Sequence, residues 1–256
     1  MPDELPLARR DLIAARLAEG QSVASVQLAA EFGVSEDAIR RDLRALAAEG
    51  LCRRVYGGAL PLPAKPMSAR LGEGMDRKRA LAMRAATLAG RGDLVFLDSG
   101  SAHVVLVDAL PEDFGLTVAT NSVDVAAAVL GRQDIDLLMI GGAVDAGVGG
   151  AVDAVAIEAV SRLAIDLSFI GVCSLSAADG AGALNYADAT FKRAVMAMSR
   201  RTAALVTTDK FGARSPYRIA PANAFSHCIV EADAPEACLA DLVKAGVEVL
   251  TADDPS

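Results

Sequence analysis

The chain has 256 residues, of which 53% are hydrophobic and 23% charged, and its formal net charge is −8. This composition is typical of a folded globular protein, large enough for a small domain joined to a larger one, and excludes a fibrous or disordered chain. No stretch approaches the roughly 18 apolar residues of a membrane span, and the acidic start does not resemble a signal peptide. The four widely spaced cysteines form no metal motif. We therefore expect a cytoplasmic protein with reduced thiols and no membrane partner.

One short N-terminal segment is basic although the whole chain is acidic. Residues 39–56 contain five arginines but only two acidic residues. A small basic patch on an acidic body is typical of a protein that binds DNA and must also release it.

The N-terminal residues predict short helices that lead into a β wing. Gly33 supplies a tight turn between two of the helices, and Ser35 is placed to cap the next one, with Glu36 and Asp37 near its positive end. The predicted elements are a first helix that starts at Leu12 and ends at Glu19-Gly20, a second helix over 24–32, a third over 36–49 and a wing over 51–59.

The third predicted helix has one apolar and one cationic face. Ile39, Leu43 and Leu46 recur at helical spacing and form a buried stripe, while the arginines at 40, 41 and 44 lie off it. This is the pattern of a recognition helix in the major groove, although arginines on a helix exterior are often only a solvated face. We predict that DNA is contacted by Ser35, Glu36, Asp37, Arg40, Arg41 and Arg44 of the helix and by Arg53, Arg54 and Tyr56 of the wing.

A change in the pattern of apolar residues divides the chain into two predicted domains. Residues 61–74 contain three prolines and no apolar period, which predicts a linker between a DNA-binding domain (1–60) and an effector-sensing domain (75–256). Beyond the linker, continuous apolar runs alternate with helical stretches, so we expect an α/β fold with a doubly wound parallel sheet. The predicted strands are 93–97, 116–120, 135–140, 167–172, 203–207, 226–230 and 247–250.

Small polar or glycine residues follow three successive predicted strands. Because ligands of such folds bind at the carboxyl ends of the strands, these loops are the candidate site. Hydroxyl, amide and backbone N–H donors suit a phosphorylated polyol, although the same residues often only cap helices. No nucleotide-binding glycine motif is present, and no cofactor is expected. The three loops are Asp98-Ser99-Gly100-Ser101, Thr120-Asn121-Ser122 and Gly141-Gly142.

The segment VSEDAIRRDLRALAAEGLCRRVYGGA resembles the signature of the DeoR family of transcriptional regulators. Later segments, among them the Lys78-Arg79 run, the three loops and the Lys210-Phe211-Gly212 run, follow the order of the DeoR C-terminal domain. The resemblance implies a winged helix-turn-helix followed by a Rossmann-like domain similar to sugar-phosphate isomerases. It also implies a repressor of carbohydrate operons that binds double-stranded operator DNA as a homo-dimer or homo-tetramer and is released by a sugar phosphate.

The resemblance also implies which residues hold the effector. Ser99, Gly100, Ser101, Thr120 and Asn121 would contact the ligand, and Lys192 and Lys210 would face the phosphate, unless both lysines are ordinary solvated charges. His103 is either a contact or a buried, hydrogen-bonded side chain, and the latter is commoner. The remaining candidates are Asp98, Ser122, Gly141, Gly142 and Asp188.

The sequence departs from the family pattern at several of these places. Ala38 stands where the family has threonine on the reading helix, and Asp188 stands for glutamate in the sensor. The operator sequence, the sugar and the choice between repressor and activator therefore stay open. Two other functions also remain: a sugar-phosphate isomerase with a DNA-binding head, which would need a general base such as Asp98 or Asp188, and a DNA-binding protein with a vestigial sensor. The further departures are Arg77, Ala102, His103 and Thr207.

Overall fold

The computed structural model describes residues 4–18, 23–60 and 67–252. They belong to two compact units: the first contains the described residues up to 60 together with 213–215, and the second contains 67–212 and 216–252. Among these residues, no helix is both long and apolar enough to cross a membrane.

The N-terminal unit is a winged helix-turn-helix. Its three short strands form an antiparallel sheet in the order β1-β3-β2. The first helix begins well before the predicted Leu12, and its predicted end at Glu19-Gly20 lies outside the described residues. The elements are α1 (Glu4–Ala18), β1 (Val23–Ala24), α2 (Ser25–Phe32), α3 (Glu36–Ala48), β2 (Arg53–Val55) and β3 (Gly58–Leu60).

Local sequence explains the turn before α3 and the buried face of this helix. Gly33 ends α2 in the left-handed conformation (φ 63°), and the Ser35 side chain accepts a hydrogen bond from the Ala38 N–H at the start of α3. The predicted stripe of Ile39, Leu43 and Leu46 is fully buried in the core of the unit.

The C-terminal unit contains both helices and strands, which alternate through much of its length. In chain order its elements are α4 (Met67–Leu71), α5 (Met75–Ala86), β4 (Leu94–Leu97), α6 (Ser101–Ala109), β5 (Thr117–Thr120), α7 (Val123–Val129), β6 (Asp136–Met139), β7 (Val144–Asp145), β8 (Gly150–Ala151), α8 (Ala154–Val160), β9 (Ile165–Phe169), β10 (Ser174–Ser176), β11 (Gly180–Ala183), α9 (Tyr186–Ala197), β12 (Ser199–Val206), β13 (Tyr217–Ala220), β14 (His227–Val230), α10 (Glu236–Lys244) and β15 (Glu248–Thr251).

A seven-stranded parallel sheet forms the centre of this unit, with strand order β15-β14-β12-β9-β4-β5-β6. Every predicted strand lies in it, which confirms the doubly wound α/β fold. Successive residues of β4 point into different cores, because Phe96 packs in one hydrophobic cluster and Val95 and Leu97 in another. Burial on both faces explains why these strands are continuously apolar.

Two features of the unit differ from the sequence prediction. The small antiparallel sheets β7-β8 and β10-β11-β13 were not predicted, since β11 consists of glycine and alanine, which have low strand propensity. In the predicted linker, residues 61–66 lie outside the described residues, but Met67–Leu71 form α4 and Met67 is buried. This part of the predicted linker is therefore helical.

Candidate DNA-contact surface and effector site

The exposed face of α3 carries the arginines that the sequence predicts to contact DNA. Arg40, Arg41 and Arg44 are exposed, while the opposite stripe packs in the core. A helix whose apolar face is packed and whose cationic face is exposed can enter the major groove without disturbing its own fold.

Neighbouring carboxylates reduce the positive charge of this face. The Arg40 guanidinium lies 2.9 Å from Glu36 Oε2 and 3.1 Å from Asp37 Oδ1, so the two acidic residues at the helix start pair with it. Arg41 and Arg44 are thus better placed than Arg40 to meet phosphates. Asp42, which counts against the basic patch in the sequence, is buried and pairs with Arg9 at 2.7 Å.

The wing presents a second set of the predicted residues. Arg53 and Arg54 are exposed on β2, and the Tyr56 side chain is fully exposed in the turn between β2 and β3. Gly58 is required there for packing, because a Cβ would lie 2.0 Å from the carbonyl oxygen of Val23 in β1.

The predicted effector residues gather at one edge of the large sheet. All seven strands are parallel, so the loops that follow β4, β5, β6 and β12 lie at the same, carboxyl edge. We use the term edge cluster for the predicted polar residues that are buried there: Asp98, Ser99, His103, Thr120, Asn121, Ser122, Asp188 and Lys192.

A buried lysine between two carboxylates forms the centre of the edge cluster. Lys192 Nζ lies 2.6 Å from Asp188 Oδ2 and 3.4 Å from Asp98 Oδ2. Asp98 Oδ2 also accepts a hydrogen bond from the Gly171 N–H at 2.8 Å. The sequence predicted Lys192 as a charge that faces a phosphate, but its ammonium is already committed to these carboxylates.

The electrostatics of this group follow from burial and pairing. Burial opposes the charge of Lys192, but the carboxylates of Asp98 and Asp188 outweigh burial and raise the pKa of the lysine. Burial also raises the pKa of the Asp188 carboxyl, against the opposing effect of Lys192. Asp188 Oδ1 is buried and has no hydrogen-bond partner among the residues that the structure describes. It is free to accept a hydrogen bond from a ligand hydroxyl.

The His103 side chain forms a hydrogen bond with the backbone of the loop after β4. Its Nδ1 lies 2.8 Å from the carbonyl oxygen of Asp98, and since a carbonyl only accepts, Nδ1 carries the hydrogen. Burial lowers the pKa of His103 to about 4, so the ring is neutral. A Cβ on Gly100 would lie 2.9 Å from this nitrogen, which explains the glycine. The structure thus shows the buried, hydrogen-bonded histidine that the sequence analysis favoured.

The loop after β5 is held by its own side chains. Thr120 Oγ1 donates to the Leu97 carbonyl at 2.6 Å, and Ser122 caps α7 by accepting from the Val125 N–H. Asn121 Nδ2 donates to the Ala151 carbonyl at 3.1 Å, but Asn121 Oδ1 is buried and has no partner in the described part of the chain. The edge cluster therefore contains a second orphan acceptor besides Asp188 Oδ1.

One of the two glycines after β6, Gly142, has a packing explanation. Gly141 and Gly142 are both exposed. Gly142 has a φ of +143°, and a Cβ on it would lie 2.4 Å from Asp153 Oδ1. The absence of a side chain at this position is explained without any ligand.

Sequence reasoning did not assign two basic residues near the edge cluster to the site. Lys78 on α5 is buried, and its Nζ donates to the carbonyl oxygen of Arg70 on α4 at 2.6 Å. Burial lowers the pKa of Lys78; the charge of Glu73 opposes this shift, and the charges of Lys210 and Arg70 add to it. No signal in the sequence pointed to this contact, because α4 was not predicted.

Both units match known protein families. Residues 9–62 match the DeoR-like helix-turn-helix domain, and residues 73–232, more than half of the chain, match the DeoR C terminal sensor domain. The glycerol-3-phosphate regulon repressor of Escherichia coli (strain K12) is 28% identical over 194 residues, which cover 74% of this chain and 77% of the repressor. The HTH-type transcriptional regulator IolR of Bacillus subtilis (strain 168) is 26% identical over 207 residues, or 80% of this chain and 82% of the regulator.

Solved structures align over parts of the chain. The sorbitol operon regulator SorC from Klebsiella pneumoniae covers 82% of this chain and 91% of its own, with 12% identity and a TM-score of 0.35. Ribose 5-phosphate isomerase A from Methanocaldococcus jannaschii covers 53% of this chain and 54% of its own, with 14% identity and a TM-score of 0.38. The curated relatives are named as regulators, in agreement with the prediction of a regulator and not an enzyme. The chain belongs to the DeoR family of transcriptional regulators.

Proposed function

We propose that this protein represses a carbohydrate catabolic operon and is released from its operator by a phosphorylated sugar or polyol. The observation that carries the DNA-binding part is the α3 helix, whose apolar stripe is buried while Arg41 and Arg44 are exposed. In this proposal α3 enters the major groove, and Arg53, Arg54 and Tyr56 of the wing contact the adjacent backbone or minor groove.

The proposal includes a homo-dimer or homo-tetramer in the cytoplasm. A single winged head offers few phosphate contacts, whereas paired heads dock on two half-sites of a palindromic or repeated operator. Residues 1–60 then act as the DNA-binding domain, and the unit that follows acts as the effector sensor.

The edge cluster supports a hydroxylated anion as the effector. Asn121 Oδ1 and Asp188 Oδ1 are buried acceptors to which none of the described residues donates, and a polyol supplies hydroxyl donors to such atoms. Lys210, in the loop after β12, supplies positive charge for a phosphate. The relative from Escherichia coli is named for the glycerol-3-phosphate regulon. Glycerol 3-phosphate is a phosphorylated polyol.

A mobility-shift assay with the DNA upstream of the protein's own gene tests the DNA-contact surface. We expect Arg41→Ala to weaken binding about tenfold or more and to reduce its salt dependence, because a phosphate or base contact is lost. Arg84→Ala, on the exposed surface of α5, is the matched control and should bind like the parent. Unchanged affinity of Arg41→Ala would show that α3 does not read the operator.

Thermal denaturation with a panel of sugar and polyol phosphates tests the sensor. A true effector raises the melting temperature in a concentration-dependent way, because it binds only the native state. Asp188→Asn should weaken this response and leave operator binding intact. If no compound raises the melting temperature or releases the operator, the sensor is vestigial and serves only for assembly.

A further inference from the structure

The strand β6 lies at one edge of the large sheet and has an open outer side. Its only neighbour among the described strands is β5. The Asp136 and Ile140 N–H groups donate to carbonyls at the two ends of β5, so the alternation along the strand turns the N–H and C=O groups of Leu137 and Met139 outwards. Such unpaired backbone groups are a template for a further strand.

β6 lacks the features that usually protect an edge strand. It contains no lysine or proline, and the apolar side chains of Leu138 and Met139 are 37% and 40% exposed beside the open backbone groups. The opposite edge strand, β15, has Glu248 and Thr251 as its exposed residues. The two edges of the same sheet therefore differ in the way expected if β6 is covered in the assembled protein.

The helix α7 adds a second apolar strip at the same end of the sheet. It packs on β5 and β6, and its exposed residues, Val123, Ala127 and the C-cap Leu130, follow one another at helical spacing on one face. Leu130 is 74% exposed. A surface helix normally turns charged or polar residues towards water, but the only charged residue of α7, Asp124, lies off this strip and is partly buried.

The open side of β6 is complementary to itself. About a two-fold axis at Leu138, the β6 strands of two copies pair antiparallel, and the outward N–H and C=O groups of Leu137 meet those of Met139 in the second copy. Leu138 then faces Leu138. Asp136 of each copy lies opposite Ile140 of the other, so that no two carboxylates of the strands oppose each other.

The α7 helices obey the same symmetry. In a right-handed crossover the helix runs antiparallel to its strands, so the axis that pairs the β6 strands also places the two α7 helices antiparallel. Ala127, near the middle of α7, then meets Ala127 of the second copy, and Val123 meets Leu130. The positive start of each helix lies beside the negative end of the other, which is favourable. A strand edge and a helix strip that share one two-fold axis fit a second copy better than an unrelated protein.

We infer that β6 and α7 form the surface through which two copies of this chain associate, joining their seven-stranded sheets into one continuous sheet. This inference rests on the proposed function, which needs paired DNA-binding units, and it names the surface that pairs the copies. The interface also borders the edge cluster, because α7 begins directly after Ser122.

A symmetric disulfide tests the strand pairing. Antiparallel pairing about Leu138 makes the two copies of this residue a non-hydrogen-bonded pair with Cα atoms about 4.5 Å apart, a separation that a disulfide can span. Leu138→Cys in the full-length protein should therefore form a covalent dimer on mild oxidation, seen in a non-reducing gel. Met139→Cys is the matched control, because residue 139 faces residue 137 of the second copy and should remain unlinked, like the parent. Linkage of both variants, or of neither, would overturn the inference.

A charge on α7 tests the same interface through the mass of the full-length protein. Light scattering after size-exclusion chromatography compares the parent with Ala127→Glu, Ala127→Lys and the control Val243→Glu, which adds the same charge at a 57% exposed position of α10. Like charges that meet at the axis should raise the dissociation constant of the pair about a hundredfold or more. Just above the parental dissociation constant, each Ala127 variant alone should thus have half the parental mass, with unchanged far-UV circular dichroism.

Mixing the two variants completes this experiment. An equimolar mixture of Ala127→Glu and Ala127→Lys should regain the parental mass, because opposite charges then meet across the axis. Val243→Glu should have the parental mass throughout. No rescue on mixing would contradict the contact of Ala127 with its own copy.

The outcomes separate this interface from the proposed function. A parent that contains several copies, with the same mass in Ala127→Glu, would overturn the interface and leave the proposed function intact. A monomeric parent that still binds the operator would also overturn it, and the apolar surface would then serve another protein. The disulfide of Leu138→Cys and the rescue of mass on mixing, without any binding to the DNA upstream of the gene, would support the interface and refute the proposed function.

Discussion

Replacing Lys192 by methionine removes a buried charge but keeps most of the hydrocarbon stem. Its ammonium lies 2.6 Å from Asp188 Oδ2 and 3.4 Å from Asp98 Oδ2, and the side chains of the lysine and the two aspartates are 4%, 7% and 0% exposed. The substitution leaves two carboxylates without their cation. Loss of one partner of a buried pair costs about 3–5 kcal/mol of the free energy of unfolding. For a unit of this size that corresponds to a fall of about 6–20 °C in the melting temperature.

Urea denaturation followed by far-UV circular dichroism measures this cost, since the chain has no tryptophan. Lys244→Met is the matched control, because Lys244 pairs with Asp241 at 2.9 Å on the surface, where such pairs contribute at most about 1 kcal/mol. If Lys192→Met loses no more stability than Lys244→Met, the electrostatic role assigned to the buried group is wrong.

The pH dependence of the same variant provides a second check. Burial already raises the pKa of Asp188, and Lys192 is the largest influence that opposes this shift, so its removal should raise the pKa further. A carboxyl group whose pKa is higher in the folded than in the unfolded state favours folding below its unfolded pKa, and this contribution is lost as the pH rises through the folded pKa. The deficit of Lys192→Met relative to the parent should therefore shrink when the pH is lowered from 7.5 to 5. A deficit that is equal at both pH values would contradict this explanation.

Three further predictions concern other parts of the molecule. His103→Asn keeps a donor to the backbone carbonyl but does not titrate. Because the pKa of His103 falls from 6.5 to about 4 on folding, lowering the pH through this range should cost the parent up to about 3 kcal/mol more stability than the variant in denaturant titrations. Asp42→Ala should destabilise the N-terminal unit by about 1.5–3 kcal/mol through loss of the pair with Arg9, and a double-mutant cycle with Arg9→Ala should show that the two costs do not add. Gly58→Ala should disrupt the wing and weaken operator binding in a mobility shift, whereas Gly72→Ala, which has no atom within 4 Å of its Cβ, should not.

The sequence by itself determined the order of elements and the class of fold. The apolar runs over β4, β5, β9 and β12 predicted a parallel sheet, because strands buried on both faces need no polar alternation. The buried stripe of α3 and its exposed arginines could also be predicted from the sequence, because helical spacing alone separates a packed face from a solvated one.

Only the tertiary structure decided how the charges are partnered. Lys192 and Asp188 are one helical turn apart, but the second carboxylate on Lys192 comes from Asp98, at the end of a distant strand. Likewise, nothing in the residues around Arg70 shows that its carbonyl receives Lys78 or that its Nε is buried without an acceptor. Periodicity reports the face on which a side chain lies, whereas the partner of a charge depends on the crossing of strands and helices far apart in the chain. For this reason the fold could be predicted from the sequence, while the partners of the charges in the sensor could not.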